Sequence, residues 1–368
     1  MPDSIGVDAD TIRKVAIGAG ADTVGFTSAD PFPEALDTLR RRKESGMAGP
    51  LHFTYDEPET STDVHKTFPW ACSLVVLAST YIDSASPPAD RGPVIGRFAT
   101  HDHYQRVRKA AAAVISVIEE SGGRADLLVD DTRLVDRAAA VRAGVGWIGR
   151  STMVLTPGHG PWQLFGSVVT DLDLGETPTM GRTCGTCVAC MPACPTGAIT
   201  DDGLDARLCI STWLQAPGPI PHWIRPLIGR RIYGCDDCLT SCPPGNPAMI
   251  RSPAPVEENS FSELLGLSDD ELLDRFEWFY IPHREARFLR RNLLVAAGNS
   301  EEAEAVEAIH QHFTHRSALV RGHAYWGLAR SVGIDAWTRL REHYDFETVG
   351  DARRELEYAL MMLRERPR

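Results

Sequence analysis

Apolar and polar positions along the chain fall into three regimes, and each implies a different kind of structure. Over the first 175 residues, helix-period stretches alternate with short apolar runs. Asp10–Ala19 and Tyr104–Glu120 carry apolar residues three and four apart and are predicted helices, the second stopped by Gly122 and Gly123. Thr23–Thr27, Leu74–Tyr81, Ala125–Val129, Met153–Leu155 and Gln163–Thr170 are rich in Val, Leu and Phe and are predicted strands. A further helix is expected at about Leu134–Ala143, ending at Gly144. The pattern predicts an α/β (α+β) domain over residues 1–175. Gly144, Gly146 and Gly149 stand at the intervals of a dinucleotide fingerprint, but they follow a helix and precede a strand. That order is wrong for phosphate binding on a helix N-terminus, and a Rossmann reading is rejected.

Between about 176 and 250 the periodicity disappears. Eight cysteines and ten prolines fall there, the composition of a loop-rich module organised by metal. Residues 251–283 read as an acidic helical connector, with eight acids and one Arg in Glu257–Glu277 and a solvated helical face expected. The remaining segment, 284–368, repeats. LRRNLLVAAG at 289, LVRGHAYWGLA at 319 and DARRELEYALM at 351 are helix-length apolar patterns, and Arg290, Arg321 and Arg353 stand 31 and 32 residues apart. Such a period predicts stacked helical hairpins that bury their faces on one another, similar to short HEAT-like repeats.

Composition adds limits. At 368 residues and 43% hydrophobic, the chain can bury a core without cysteine staples. The longest apolar run, around Ala110–Ile118, falls short of the roughly 20 residues of a membrane span, and the N-terminus lacks a basic start followed by an apolar run. A cytoplasmic protein with no membrane association is expected. In that compartment clustered thiols hold metal more often than they form disulfides. The net charge of −12 argues against a simple high-affinity DNA binder but leaves room for a local basic patch that holds RNA.

The cysteine spacing narrows the chemistry. Cys184-x2-Cys187-x2-Cys190-x3-Cys194-Pro195 is a ferredoxin-type cluster run, in which the fourth cysteine serves a second cluster. A second run exists, Cys235-x2-Cys238-x3-Cys242-Pro243, with Cys209 between the two. Two [4Fe–4S] clusters are expected. Cys184, Cys187, Cys190 and Cys242 are assigned to one, and Cys194, Cys209, Cys235 and Cys238 to the other. The competing reading, two zinc sites, would use paired CxxC units separated by a spacer. Cys72, the ninth cysteine, lies at the start of a predicted strand and reads as a small core residue. Clusters pass electrons singly, so an external low-potential donor and an internal acceptor are both required.

At this point a resemblance enters. LDARLCIS (204–211), IGRRIYGCDDCLTSCP (228–243) and VRAGVGWIGRSTMVL (141–155) resemble the epoxyqueuosine reductases, from about residue 15 to 330. That family is a cobalamin-dependent iron–sulfur group of tRNA-modifying enzymes, related in its core to reductive dehalogenases. The resemblance implies cobalamin bound base-off as the acceptor, reduction of the epoxide of epoxyqueuosine in a tRNA anticodon stem-loop to the alkene of queuosine, and a positioned acid. The family's segment VDTGPLVDR reads here Val129-Asp130-Asp131-Thr132-Arg133-Leu134-Val135-Asp136-Arg137, which carries the acid over to Asp130. Asp131 and Thr132 suit the cap of the following helix. The corrin contacts carry over to Asp130, Val154, Phe165, Ser211 and Asp236.

Several segments depart from the family pattern. Tyr-Ala-x-Gly-x-Asp-Tyr-His is Phe98-Ala99-Thr100-His101-Asp102-His103-Tyr104, the Lys of Gly-Trp-Ile-Gly-Lys is Arg150, and Gly-Pro after the acid is absent. Candidate phosphate contacts are Arg225, Arg230 and Arg231, and Arg284, Arg287, Arg290 and Arg291 at helical spacing. Two rivals share the cofactors or the clusters: a reductase of a small molecule, and a non-catalytic electron carrier.

Overall fold

The computed structural model describes residues 7–82, 91–247 and 259–365. These form two compact units. The first holds 7–82, 100–207 and 236–247; the second holds 91–99, 208–235 and 259–365. The cysteine-rich stretch expected as one module therefore contributes to both. In chain order the strands are β1 (Thr23–Ser28), β2 (Ser73–Thr80), β3 (Val94–Ile95), β4 (Ala125–Leu128), β5 (Trp147–Ile148), β6 (Val154–Leu155), β7 (Gln163–Thr170), β8 (Ile199–Thr200), β9 (Gly203–Leu204) and β10 (Arg231–Tyr233).

The first unit is organised by an antiparallel sheet in the order β1-β2-β7-β4. Ala78 lies opposite Phe165, and Leu128 lies opposite Ser167. All of β2 is buried, because helices cover both faces of the sheet. On one face runs the helix Tyr104–Glu120. A Cβ on Gly166 would come within 2.5 Å of Val107 on that helix, so only glycine allows the approach. On the other face the short helix Asp136–Arg142 packs Ala139 and Ala140 among Leu74, Val76, Ala78, Leu128 and Val169. Each fully buried Val or Leu contributes about 1.5–3 kcal/mol. The predicted strands and helices are found within one or two residues of their expected bounds, with one instructive shift. The last helix starts at Asp136, not Leu134.

Cys72 is exposed, not a core residue. It stands one position before β2, beyond the stretch of strand that the helices cover.

The second unit is helical. Its main helices are Ala286–Ser300, Ala303–Gln311, Ala318–Val332, Trp337–Tyr344 and Gly350–Glu365. The first and third touch through backbone: a Cβ on Gly298 would lie 2.7 Å from the Gly327 Cα. The three arginines of the 31–32 period each tie the start of a helix to another segment, Arg290 and Arg353 to an earlier one and Arg321 to a later one. Arg290 donates to Asp269 at 2.7 Å, Arg321 makes two bonds to Glu347 at 2.6 and 2.8 Å, and Arg353 donates to the Glu347 carbonyl at 3.1 Å. The acidic segment is no detached connector over its described part. Phe261, Leu264, Leu265 and Leu272 enter the core of this unit, and a reciprocal Ser268–Glu271 cap starts the helix Asp269–Arg275. Residues 251–258 lie outside the described part of the chain. Among the described residues no helix is long and apolar enough to cross a membrane.

Candidate active site and cluster cysteines

Of the eight cluster candidates, Cys184, Cys187, Cys190, Cys194, Cys238 and Cys242 belong to the first unit, and Cys209 and Cys235 to the second. The short helix Cys190–Ala193 packs on the short helix Asp237–Thr240, and this carries Cys242 toward the first run. Burial pushes the Cys242 thiol up to about 11, with added repulsion from Cys184, Cys190 and Cys187. Four mutually repelling thiols in one place fit a cofactor of positive iron, which removes their protons and their repulsion together. No three His, Cys, Asp or Glu side chains among the described residues converge as a single-ion site would require. A cube of iron and sulfide keeps its four thiolates farther apart, around a larger body. Backbone amides already point at the sulfurs: Arg150 N–H donates to Cys184 Sγ and Ala198 N–H to Cys194 Sγ, each at 3.3 Å. Arg150 is further held by the Cys187 carbonyl at 3.2 Å and by Asp201 at 2.8 Å.

Asp130 sits where the chain leaves β4. Its φ of 51° is left-handed, a conformation a short polar residue tolerates better than most. Its side chain reaches solvent, yet burial by the surrounding protein raises its carboxyl above the ordinary range; Arg108 opposes that rise and Asp131 adds to it. Asp131 is committed elsewhere. Its carboxylate accepts from the Arg133 backbone at 2.9 Å and pairs with the Arg133 guanidinium at 2.6 Å, which holds it low. It closes a turn rather than capping the helix, whose start at Asp136 lies five residues on.

Sequence reasoning passed over Asp136. Its Oδ1 is buried with no hydrogen-bond partner among the described residues. Burial, and then the charge of Asp130, pushes this carboxyl well above its usual value. A single acid in a first helical turn gives no warning of this, since such acids usually face water.

The residues carried over as corrin contacts divide between the units. Val154 is buried in the core beneath the helix Asp136–Arg142, and the half-buried Phe165 packs against that same core. Asp236 precedes the helix Asp237–Thr240 in the first unit. Ser211 lies in the second unit, where its Oγ accepts from Gln215 at 3.0 Å. Around Phe165 the sheet leaves polar groups unanswered. Gln163 and Ser167 are buried on the same face, and neither has a side-chain partner among the described residues. The half-buried Phe165 offers an aromatic surface that suits the ring of a corrinoid, while Gln163 and Ser167 on the same face are sealed from solvent.

The arginines predicted to follow phosphates do not form one face. Arg225 is fully buried, with its guanidinium on both oxygens of Glu355 at 2.8 Å. Arg291 is fully buried against the Trp213 carbonyl at 3.0 Å and the Ala216 carbonyl, and burial, with Arg225 adding, lowers it to about 9. Arg290 is likewise inside, on Asp269. These three are structural, because the apolar faces they share with Leu289, Leu293 and Ile228 turn inward. Arg230 donates to the Gly92 carbonyl at 2.7 Å and Arg231 to the Ile228 carbonyl at 2.9 Å. Arg287 is exposed, paired with Glu285 at 2.5 Å.

A sheet enclosed by helices, a cysteine set with ferredoxin-type spacing and a carboxyl raised by burial fit an iron–sulfur oxidoreductase. Residues 183–245 match the 4Fe-4S double cluster binding domain family. The chain is 30% identical over 350 residues to the epoxyqueuosine reductase of Salmonella typhimurium, covering 88% of each. It is 29% identical over 351 residues to that of Staphylococcus aureus, covering 91% of this chain and 92% of the relative. An epoxyqueuosine reductase solved with an epoxyqueuosine-modified tRNA-Tyr stem loop superposes with a TM-score of 0.86 at 26% identity, over 96% of this chain and 98% of that one. The Bacillus subtilis enzyme, solved with its catalytic loop swung out of the active site, gives 0.86 at 25% identity over the same shares. The chain belongs to the epoxyqueuosine reductase family.

Proposed function

We propose that this protein reduces epoxyqueuosine in a tRNA anticodon stem-loop to queuosine. The observation that carries this is a carboxyl, Asp130, raised above its ordinary range by burial, in the unit that also gathers Cys184, Cys187, Cys190 and Cys242. The balanced reaction takes an epoxide, two electrons and two protons to an alkene and water. Asp130 supplies a proton to the departing oxygen, which would otherwise leave as an unfavourable hydroxide. The positive charge of Arg108 favours the carboxylate that remains, and Asp136, whose own carboxyl burial raises, interacts with it. Asp130, Val154, Phe165, Ser211 and Asp236 hold cobalamin, which supplies a strongly reducing metal centre when bound. It binds base-off without histidine, since no Asp-x-His-x-x-Gly motif occurs in the chain. Cys184, Cys187, Cys190 and Cys242 ligate one [4Fe–4S] cluster, and Cys194, Cys209, Cys235 and Cys238 the other. An external low-potential carrier feeds them, in the cytoplasm, where the substrate tRNA is found.

We read the hairpins of the second unit as HEAT-like, with Arg230, Arg231 and Arg287 as its remaining candidates for tRNA phosphates. Incubating reconstituted, reduced protein with epoxyqueuosine-bearing tRNA tests the proposal. Queuosine should appear by mass spectrometry, and its absence under conditions where a Bacillus subtilis reductase succeeds overturns the reading.

A further inference from the structure

The hairpin of β5 and β6 turns through residues 149–152, closed by the Gly149 amide on the Met153 carbonyl at 2.8 Å and the Thr152 amide on the Gly149 carbonyl at 2.9 Å. Thr152 takes a left-handed φ of 63° to complete it, a conformation a β-branched residue rarely adopts. The turn delivers Arg150 to the first cysteine run. Its backbone amide donates to Cys184 Sγ at 3.3 Å, and its guanidinium is fixed by the Cys187 carbonyl at 3.2 Å and by Asp201 at 2.8 Å. In this ion pair Asp201 is 85% exposed and Arg150 only 27%, so the anion faces water while the cation is largely covered. A cavity of about 370 Å³ opens beside the pair, lined among others by Ile148, Thr152, Cys184 and Asp202, and of its described lining residues Arg150 alone carries a positive charge. Arg182, two residues before Cys184, lies instead over the Trp147 ring at 5.3 Å.

We propose that Arg150 is a positioning residue that sets the reduction potential of the cluster held by Cys184, Cys187, Cys190 and Cys242, its cation favouring the reduced form and Asp201 opposing it. The inference rests on the cluster reading above and adds a residue to it. Each electron taken from the external low-potential carrier adds one negative charge beside these thiolates, with no proton taken up. A cation fixed there favours that addition, as does an amide donating to a thiolate sulfur. The amide belongs to the backbone and survives substitution of the side chain, so the share of the guanidinium can be removed by itself. Asp201 acts in the opposite sense, and water and salt screen it more because it is exposed.

The test is a potentiometric titration of the full-length, cluster-loaded protein without cobalamin, whose own signal would overlap, followed by the electron paramagnetic resonance of the reduced clusters. Wild type should show two midpoints. Arg150→Gln should lower one of them and leave the other in place, by roughly a two- to tenfold change in the reduction equilibrium, or about 18–59 mV at 59 mV per tenfold. Arg150→Lys keeps the charge and should stay near wild type. Asp201→Asn, at an exposed position, should raise the same midpoint by a smaller amount, and Arg182→Gln should move it less than Arg150→Gln does. Where Arg150→Gln fails to hold iron, the direction of the Asp201→Asn shift decides alone. An unmoved midpoint in Arg150→Gln, equal shifts of both midpoints, an equal shift in Arg182→Gln, or a downward shift in Asp201→Asn overturns the assignment. A wild type without two reducible clusters would instead remove the cluster reading, and this inference with it.

Discussion

The two units treat buried polar groups in opposite ways. In the helical unit they are answered. Arg225 meets Glu355, Arg321 meets Glu347 and Tyr325, and Asn292 donates to the Leu214 and Ile232 carbonyls. Only Arg291 keeps a buried, unpartnered side-chain atom there among the described residues. In the sheet unit Asp136, Trp147, Thr152, Gln163 and Ser167 all do. Unanswered polar groups cost stability, so a fold keeps them where something else is to be met. The helical unit spends its arginines on its own architecture, while the sheet unit leaves several buried polar atoms without a partner among the described residues.

The sharpest break in that contrast comes from Asp130→Asn. The amide keeps shape but has no acidic proton, and turnover should fall about 10²–10⁴-fold with iron and corrinoid content unchanged. In the wild type the raised carboxyl is active in its protonated form, so turnover should decline as pH rises through its shifted value. A wild-type rate in this variant would move the acid elsewhere. Asp136 then takes precedence over Asp131, whose carboxylate is held by Arg133. Cys190→Ser, by the same logic, should cost one cluster, read as half the iron.

Next in size is Glu347→Gln in the helical unit. Burial would raise the Glu347 carboxyl, but bonds from Arg321, the Val349 amide and the Tyr325 hydroxyl hold it at about 2. Leaving Arg321 unpaired should destabilise the protein by about 3–5 kcal/mol, read as a lowered Tm. Because this carboxyl is depressed on folding, its contribution is complete above the unfolded value and is lost as pH falls toward 2. The difference between variant and wild type should therefore shrink in acid. A constant difference across that range would show that packing, not the ion pair, is at stake.

Asp136→Asn should do the reverse. Its carboxyl is raised on folding, so its contribution is complete at low pH and is lost as pH climbs. The variant should match wild type below the ordinary aspartate range, near pH 3, and exceed it in stability at pH 8, by an amount on the order of 1 kcal/mol. Lower stability at both values would mean that the ionised carboxylate has a partner.

The smallest effect is expected from Arg287→Glu. This exposed residue should leave the fold intact and lower the slope of log tRNA affinity against log salt by roughly 0.7–0.9. Arg291→Glu should instead disturb folding, because that cation is fully buried. If Arg291→Glu folds normally and abolishes tRNA binding, the division between architecture and surface drawn for the helical unit is wrong.

Local order was readable in the chain. Continuous apolar runs became β2 and β7, the Tyr104–Glu120 period became a helix over the same residues, and arginines 31 and 32 apart each fall near the start of a helix and bond outside it. The cysteine spacing named the cofactor, since ligand spacing is a local property of the backbone. What sequence could not supply was direction and company. Arg225, Arg290 and Arg291 read as a basic surface, yet each sits on the inward side of its element, against carbonyls and acids far away in the chain. Cys72 read as core, but it lies beyond the covered part of its strand. Asp136 and Gln163 gave no sign at all, because a missing partner is a property of everything folded around a residue. The sequence by itself determined the elements and the iron–sulfur chemistry. Only the tertiary structure decided which charges serve the fold and which polar groups stay open, because burial and pairing arise when distant segments meet.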